Sequence, residues 1–195
     1  MPVRYRAAAS WGLTRIPTRG QRTVSFEGQQ TSFEDPAAEP ARGAVYVPPG
    51  QGPSRWVFKD RYTLKSGLHN TGPAFGLVEA IVPPGGGPPA HIHYNEDEAF
   101  YVIGGQLELF TGEDTVVADP GSFIYVPKGV THSFHNAGDA DCKMLLMFLP
   151  AGKERFFLEM GISADDGAPP PPPEQYLLDQ ENAIRLAPKY GEKYV

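Results

Sequence analysis

The stretch GGGPPAHIHYNEDEAFYVIGG, residues 85–105, decides how the rest of the chain is interpreted. It places His91 and His93 one residue apart, ahead of a carboxylate at Glu98. Because alternate residues of a β-strand point to the same face, a His-x-His pair on a strand directs both imidazoles toward one point. The four residues between His93 and Glu98 leave enough chain to turn and bring the carboxylate back to that point.

A second stretch, GSFIYVPKGVTHSFHN at residues 121–136, supplies a third imidazole. Its pattern predicts a strand over 122–126, a turn at 127–129, and then His132. Three imidazoles and one carboxylate form a mixed nitrogen and oxygen ligand set, which suits Fe, Mn, Ni, Co, Cu or Zn and leaves positions open for water or substrate. We therefore expect one divalent transition metal, and no motif indicates an organic cofactor.

Together the two stretches resemble the paired motifs of the cupin superfamily, G-x5-H-x-H-x4-E-x6-G and G-x5-P-x-G-x2-H-x3-N. Every motif position is filled, by Gly85, His91, His93, Glu98, Gly105, Gly121, Pro127, Gly129, His132 and Asn136. The resemblance implies an all-β cupin fold, a double-stranded β-helix or jelly-roll barrel. It also implies that the metal is bound inside the barrel by His91, His93, Glu98 and His132.

The pattern of turns agrees with an all-β fold. Glycine (22) and proline (21) are frequent, and short apolar segments recur with turn signals between them, which is typical of a sandwich or closed barrel. We assign residues 56–150 to the barrel and residues 1–55 to an N-terminal arm that packs on the barrel or on a partner subunit. Residues 151–195 form a C-terminal extension, with short helices expected over 154–160 and 174–186 around a proline-rich spacer.

Composition limits the possible partners and locations. A formal net charge of −6, with the basic residues scattered, favours neither nucleic acid nor an anionic membrane. The longest apolar run, 144–149, is too short to span a bilayer. The single cysteine, Cys142, excludes an internal disulfide and is expected to be a core thiol, so we expect a cytoplasmic protein.

Strand parity predicts which side chains surround the metal. Residues that share the parity of Glu98 or of His132 should face inward with them, and nearby apolar residues should complete the wall. We therefore expect a substrate-binding surface made of Phe75, Phe100, Val102, Phe134 and Met147. His135 has the opposite parity and should point outward, and His69 lies in a loop where exposure to solvent is expected. An apolar, aromatic wall suits a flat hydrophobic substrate.

The overall plan is similar to that of single-domain quercetinase-like cupins, in which a Glu-Arg-Phe-Phe type helix and a proline-rich tail follow the barrel. That resemblance implies a metal-dependent dioxygenase that uses O2 on an aromatic or enolisable small molecule, with Glu98 also acting as the catalytic base. Two alternatives stay open: a non-redox metal cupin, such as an isomerase, cyclase or lyase, and a cupin that binds a small molecule without catalysis. A homodimer is expected from the family alone.

Overall fold

The structure is a computed structural model that describes residues 43–195, so most of the predicted arm, residues 1–55, lies outside the described residues. The strands of the described part are β1 Ser54–Val57, β2 Asp60–Ser66, β3 Gly76–Val82, β4 His91–His93, β5 Asp97–Gly104, β6 Leu107–Phe110, β7 Thr115–Ala118, β8 Phe123–Val126, β9 Ser133–His135, β10 Cys142–Leu149, β11 Ile162–Ser163 and β12 Glu192–Tyr194. Its α-helices are α1 Leu68–Thr71, α2 Glu154–Met160 and α3 Gln175–Leu186. The predicted all-β class is confirmed.

The strands form two layers. One is a seven-stranded sheet in the order β11-β1-β2-β3-β10-β5-β8. The other combines the pair β12-β4 with the three strands β7-β6-β9. These two groups are joined where His91 and His132 exchange backbone hydrogen bonds, with both N···O distances at 2.9 Å. This is the jelly roll that the motifs predicted.

Side chains alternate between buried and more exposed positions along the strands, and the buried ones form the core between the two layers. In β10, residues 142, 144, 146 and 148 are buried, whereas the residues between them are partly exposed. Full burial of each large apolar side chain contributes about 1.5–3 kcal/mol relative to exposure. The thiol of Cys142 lies in this core, and burial raises its pKa to about 11, so it is a packing group, as predicted.

Three local features differ from the sequence interpretation. Residues 55–65 mix aromatic, β-branched and charged residues, a pattern that predicts one half-exposed strand, but they form a hairpin of β1 and β2, with Phe58 at a positive φ of 55° in the turn. His69, expected in solvent, is only 6% exposed because it lies on α1 against the barrel. The extension, residues 151–195, contains the two predicted helices and also adds β11 and β12 to the sheets.

The loop before β4 lies directly against β9. Asn136 and the loop exchange backbone hydrogen bonds, from Gly85 N–H to the Asn136 carbonyl (2.8 Å) and from Asn136 N–H to the Gly86 carbonyl (3.1 Å). Gly87 has φ +122°, and a Cβ there would lie 2.0 Å from the carbonyl oxygen of Phe134. Only glycine therefore permits this approach.

No helix within residues 43–195 combines the length and the apolar character needed to cross a bilayer. The longest helix, α3, has 12 residues, whereas a transmembrane helix needs roughly 20 apolar residues.

A buried carboxylate ties the extension to the barrel. Glu154, the first residue of α2, accepts hydrogen bonds from the backbone N–H groups of Leu68 (2.9 Å) and Gly152 (2.7 Å). Two glycines make room for it, because a Cβ at Gly67 or Gly76 would lie 2.3 or 2.7 Å from its carboxylate oxygens. The side chain of Glu154 therefore fills the space between α1, β3 and α2.

We expect Glu154→Ala to lower the free energy of unfolding by about 2 kcal/mol or more, because it leaves two enclosed N–H groups without an acceptor. Glu154→Gln keeps one acceptor oxygen and should cost less. The matched control is Glu181→Ala, which removes an exposed glutamate of α3. Urea unfolding measures the difference, and equal losses in the two alanine variants would contradict this role.

Asp60 is a second buried acid, at the start of β2. It accepts hydrogen bonds from the Tyr62 hydroxyl (2.8 Å) and from Gly87 N–H (3.2 Å). Burial outweighs these bonds and raises the pKa of Asp60 from 3.8 to about 7. A pKa that is higher in the folded state means that the contribution to stability is complete below pH 3.8 and is lost as the pH rises toward 7.

We therefore expect the wild-type protein to lose stability relative to Asp60→Asn between pH 4.5 and 7.5, by on the order of 3 kcal/mol. The asparagine keeps the shape of the protonated acid but cannot ionise. Urea unfolding at several pH values checks this, with Asp139→Asn, an exposed position, as the control. Parallel pH profiles for the wild type and Asp60→Asn would refute the prediction.

Candidate metal centre

The four predicted ligands come together inside the barrel. His91 and His93 are the two ends of β4, Glu98 is the second residue of β5, and His132 directly precedes β9. All four side chains are buried. Each offers one ligand atom, and these atoms lie within 4.8 Å of one another. Residues distant along the chain therefore converge because β4, β5 and β9 meet at one end of the barrel.

Polar contacts at Nδ1 fix the direction of each imidazole. The Nδ1 atoms of His91 and His132 lie 2.8 and 3.0 Å from the carbonyl oxygens of Pro89 and Val130. His93 Nδ1 lies 2.8 Å from the carboxylate of Glu96, which is also buried. Because Nδ1 is occupied in each ring, Nε2 is left to point inward, an arrangement typical of metal-binding histidines.

The spacing of the inward atoms fits a metal ion. Glu98 Oε2 lies 3.2 Å from His93 Nε2 and 2.9 Å from His132 Nε2. Ligands about 2.1 Å from an ion in perpendicular directions are about 3.0 Å apart, close to both distances. The nitrogen and oxygen donors also match the preference of divalent transition metals. The residues present therefore fit such an ion with only small movements.

Electrostatic interactions keep Glu98 ionised and shift the pKa values of His91 and His93 in opposite directions. Burial opposes ionisation of Glu98, but the hydrogen bonds from His132 and His93 hold its pKa well below the usual range. Burial also lowers the pKa of His91, with His132 and His93 adding to the effect. For His93, burial acts in the same direction, but Glu96 and Glu98 raise the pKa to about 9. Glu98 is thus available as an anionic ligand.

A small cavity of about 30 Å³ adjoins three of the four ligands, His91, His93 and Glu98. It is lined by Val57, Phe58, Tyr62, Pro88, His91, His93, Glu98, Phe134, Leu146, Phe148, Lys153, Phe156, Phe157, Glu192 and Tyr194. Apart from the ligands, the wall is largely apolar and aromatic. The volume holds one or two water molecules.

The predicted substrate-binding residues have different locations. Phe134 lines the cavity. Phe100 and Val102 are inward and fully buried, and Phe100 packs edge-on against His132 with ring centroids 6.4 Å apart. Phe75 is 36% exposed in the turn before β3. Met147 lies on the opposite face of β10 from the cavity residues, because the odd-numbered positions of that strand point away from the core. His135 is exposed, as its parity predicts.

Sequence reasoning missed three polar residues of the cavity, Lys153, Glu192 and Tyr194. Glu192 and Tyr194 belong to β12, which pairs with β4 so that Glu192 is opposite His93 and Tyr194 opposite His91. Glu192 Oε1 lies 3.8 Å from His91 Nε2, and its other oxygen pairs with the ammonium of Lys153. In the GEKYV stretch, residues 191–195, no local signal relates the sequence to the metal ligands.

Known proteins are similar in sequence to part of this chain. An uncharacterized protein of Methanocaldococcus jannaschii is 29% identical over 98 residues, which cover 49% of this chain and 78% of that protein. The quercetin 2,3-dioxygenase of Bacillus subtilis is 27% identical over 112 residues, which cover 57% of this chain. The match spans about a third (33%) of the length of that enzyme.

A known structure shares the fold of this part of the chain. The structure of KdgF from Halomonas sp. superposes with a TM-score of 0.51 at 16% identity, over 58% of this chain and 98% of that one. At this level of identity the likeness concerns the fold alone. Residues 78–148 match the family described as "Cupin domain", and they span all four ligands. Residues 78–148 of this chain are therefore a cupin domain.

Proposed function

We propose that this protein is a metal-dependent dioxygenase of the quercetinase type that acts on an aromatic or enolisable small molecule. The observation that carries the proposal is the buried cluster of three histidines and one glutamate beside an aromatic cavity. The 27% identity to the Bacillus subtilis quercetin 2,3-dioxygenase supports it over 112 residues. His91, His93, Glu98 and His132 would hold the ion.

The ion would supply Lewis acidity and a redox centre with open positions for ligands. The residues of this chain supply the rest. Glu98 is ionised, and with the histidine Nε2 atoms on the ion its carboxylate would be free of them and could accept the proton of a substrate hydroxyl. Phe134, Phe148 and Phe157 present an apolar wall to a flat ring and limit the access of water. Both atoms of O2 would enter the organic products, so the reaction needs no external reductant.

The first prediction concerns metal content. Protein loaded with Fe, Mn, Ni, Co or Cu should hold about one equivalent of metal, and His132→Ala or Glu98→Gln should weaken binding by at least about 100-fold, because each removes one of four ligands. His135→Ala is the matched control, since it removes an exposed histidine from the adjacent strand. Elemental analysis and metal titration measure this. Equal metal retention in His132→Ala and His135→Ala would rule out the site.

The second prediction concerns the reaction. With flavonols and related enols, the metal-loaded protein should consume one O2 per substrate and place label from ¹⁸O2 in the organic product. At metal concentrations that restore full occupancy, Glu98→Gln should still lose activity by at least about 100-fold, within the typical size of a general-base contribution. An oxygen electrode and mass spectrometry measure both quantities. Absence of O2 uptake with every redox metal would refute the dioxygenase.

Anaerobic assays separate this proposal from the alternatives. Turnover without O2, and with Zn as readily as with redox metals, would instead favour an isomerase, cyclase or lyase on the same ligands. A ligand that raises thermal stability and is recovered unchanged would favour a binding protein. The homodimer stays a prediction from the family, and light scattering of the purified protein checks it.

A further inference from the structure

A buried ion pair lies in the metal cavity beyond the four ligands. Lys153 and Glu192 are 3% and 5% exposed, and the Nζ of Lys153 pairs with Glu192 Oε2. The ammonium also lies 3.9 Å from the centroid of the Phe156 ring. Among the described residues that line this cavity, Lys153 is the only one with an ammonium or guanidinium group. The cavity therefore contains a positively charged side chain that is not paired with any of the four metal ligands.

Glu192 lies between Lys153 and the ligand cluster. One of its oxygens pairs with Lys153, and the other lies 3.8 Å from the inward nitrogen of His91. Tyr194 lies beside the same ligand, with its ring centroid 5.6 Å from that of His91. A carboxylate and an aromatic ring of β12 thus already occupy the space beside His91.

The net charge of the cavity and its small volume both indicate that a substrate anion would replace the Glu192 carboxylate. With a divalent ion, the carboxylates of Glu98 and Glu192 and the ammonium of Lys153 leave one net positive charge, and a monoanion that replaced Glu192 would preserve it. Leaving Lys153 buried without an anion would be unfavourable. The cavity of about 30 Å³ is far smaller than the roughly 150 Å³ that accepts a benzene ring. A ring can therefore enter only if part of the cavity wall moves, and β12 carries the carboxylate that the anion would replace.

The position of β12 makes such movement feasible. Within residues 43–195 this three-residue strand pairs with β4 alone, at the edge of its sheet. Two further backbone hydrogen bonds flank this pairing. They run from Tyr94 N–H to the Gly191 carbonyl (2.7 Å) and from Val195 N–H to the Ala90 carbonyl (3.0 Å). These contacts can be released without disturbing the seven-stranded sheet.

We propose that Lys153 binds the anionic oxygen of the substrate, and that the Glu192 carboxylate holds this position until the substrate displaces it together with β12. The ligand class is an aromatic monoanion: a carboxylate, an enolate or a phenolate. The inference rests on the proposed metal site but not on the proposed reaction with O2. Lys153 is thus a specificity-determining residue contributed by the extension.

The test is anaerobic binding of benzoate, with neutral benzamide as the comparison, to the Co(II)-loaded protein. Calorimetry and the visible Co(II) spectrum measure affinity without turnover, so failure of the dioxygenase assay does not affect the result. Glu192→Gln should tighten benzoate binding by at least about 10-fold, because a neutral amide competes less well for Lys153. Lys153→Met should reduce the preference for benzoate over benzamide by about 10-fold or more, the range expected for one charge-assisted hydrogen bond.

Two controls keep the test decisive. Arg155→Met removes an exposed cation two residues away and should leave the preference unchanged, whereas Lys153→Arg should retain it. In the wild-type protein, benzoate but not benzamide should increase hydrogen exchange in residues 192–195, a readout that needs no variant. Unchanged exchange there would overturn the displacement of β12. Equal preference for benzoate in Lys153→Met and Arg155→Met would overturn the role of Lys153.

Discussion

Two backbone hydrogen bonds between His91 and His132 determine both the architecture and the site. Each N–H meets the carbonyl of the other residue at 2.9 Å, and this contact joins two small sheets into one layer. The same contact places two imidazoles side by side, with ring centroids 4.4 Å apart. A slip of one residue would turn a ligand to the opposite face. Folding and assembly of the ligand cluster are therefore one event.

Enclosing so many ionisable groups in an apolar interior requires that each has a partner. Glu98 is held by two imidazoles, His93 also contacts Glu96, and Lys153 is paired with Glu192. Desolvation would otherwise force these groups into their neutral forms. The contacts around Glu98 and His93 belong to the cupin domain, whereas the Lys153–Glu192 pair joins the start of α2 to β12. The extension thus contributes to the electrostatics of the site as well as covering it.

The ligand cluster could be predicted because the two stretches resemble the paired cupin motifs, and that resemblance implies that these distant residues converge. Motif spacing and strand parity specify which side chains share a face, and parity also located Phe100 correctly in the interior. Met147 was assigned from apolar character without a register, and β10 places it on the other face. Lys153 and Glu192 could not be predicted, because their pairing depends on contact between segments 39 residues apart, which no local periodicity encodes. Similarly, the burial of His69 follows from packing of α1.

A Cβ at position 87 would collide with the Phe134 carbonyl, which restricts mutagenesis of the loop before β4. In a library that randomises this loop, the variants that fold would be those that keep glycine at position 87. The adjacent Pro88 lines the cavity. Changes to the shape of the cavity can therefore begin one residue from a position where only glycine fits.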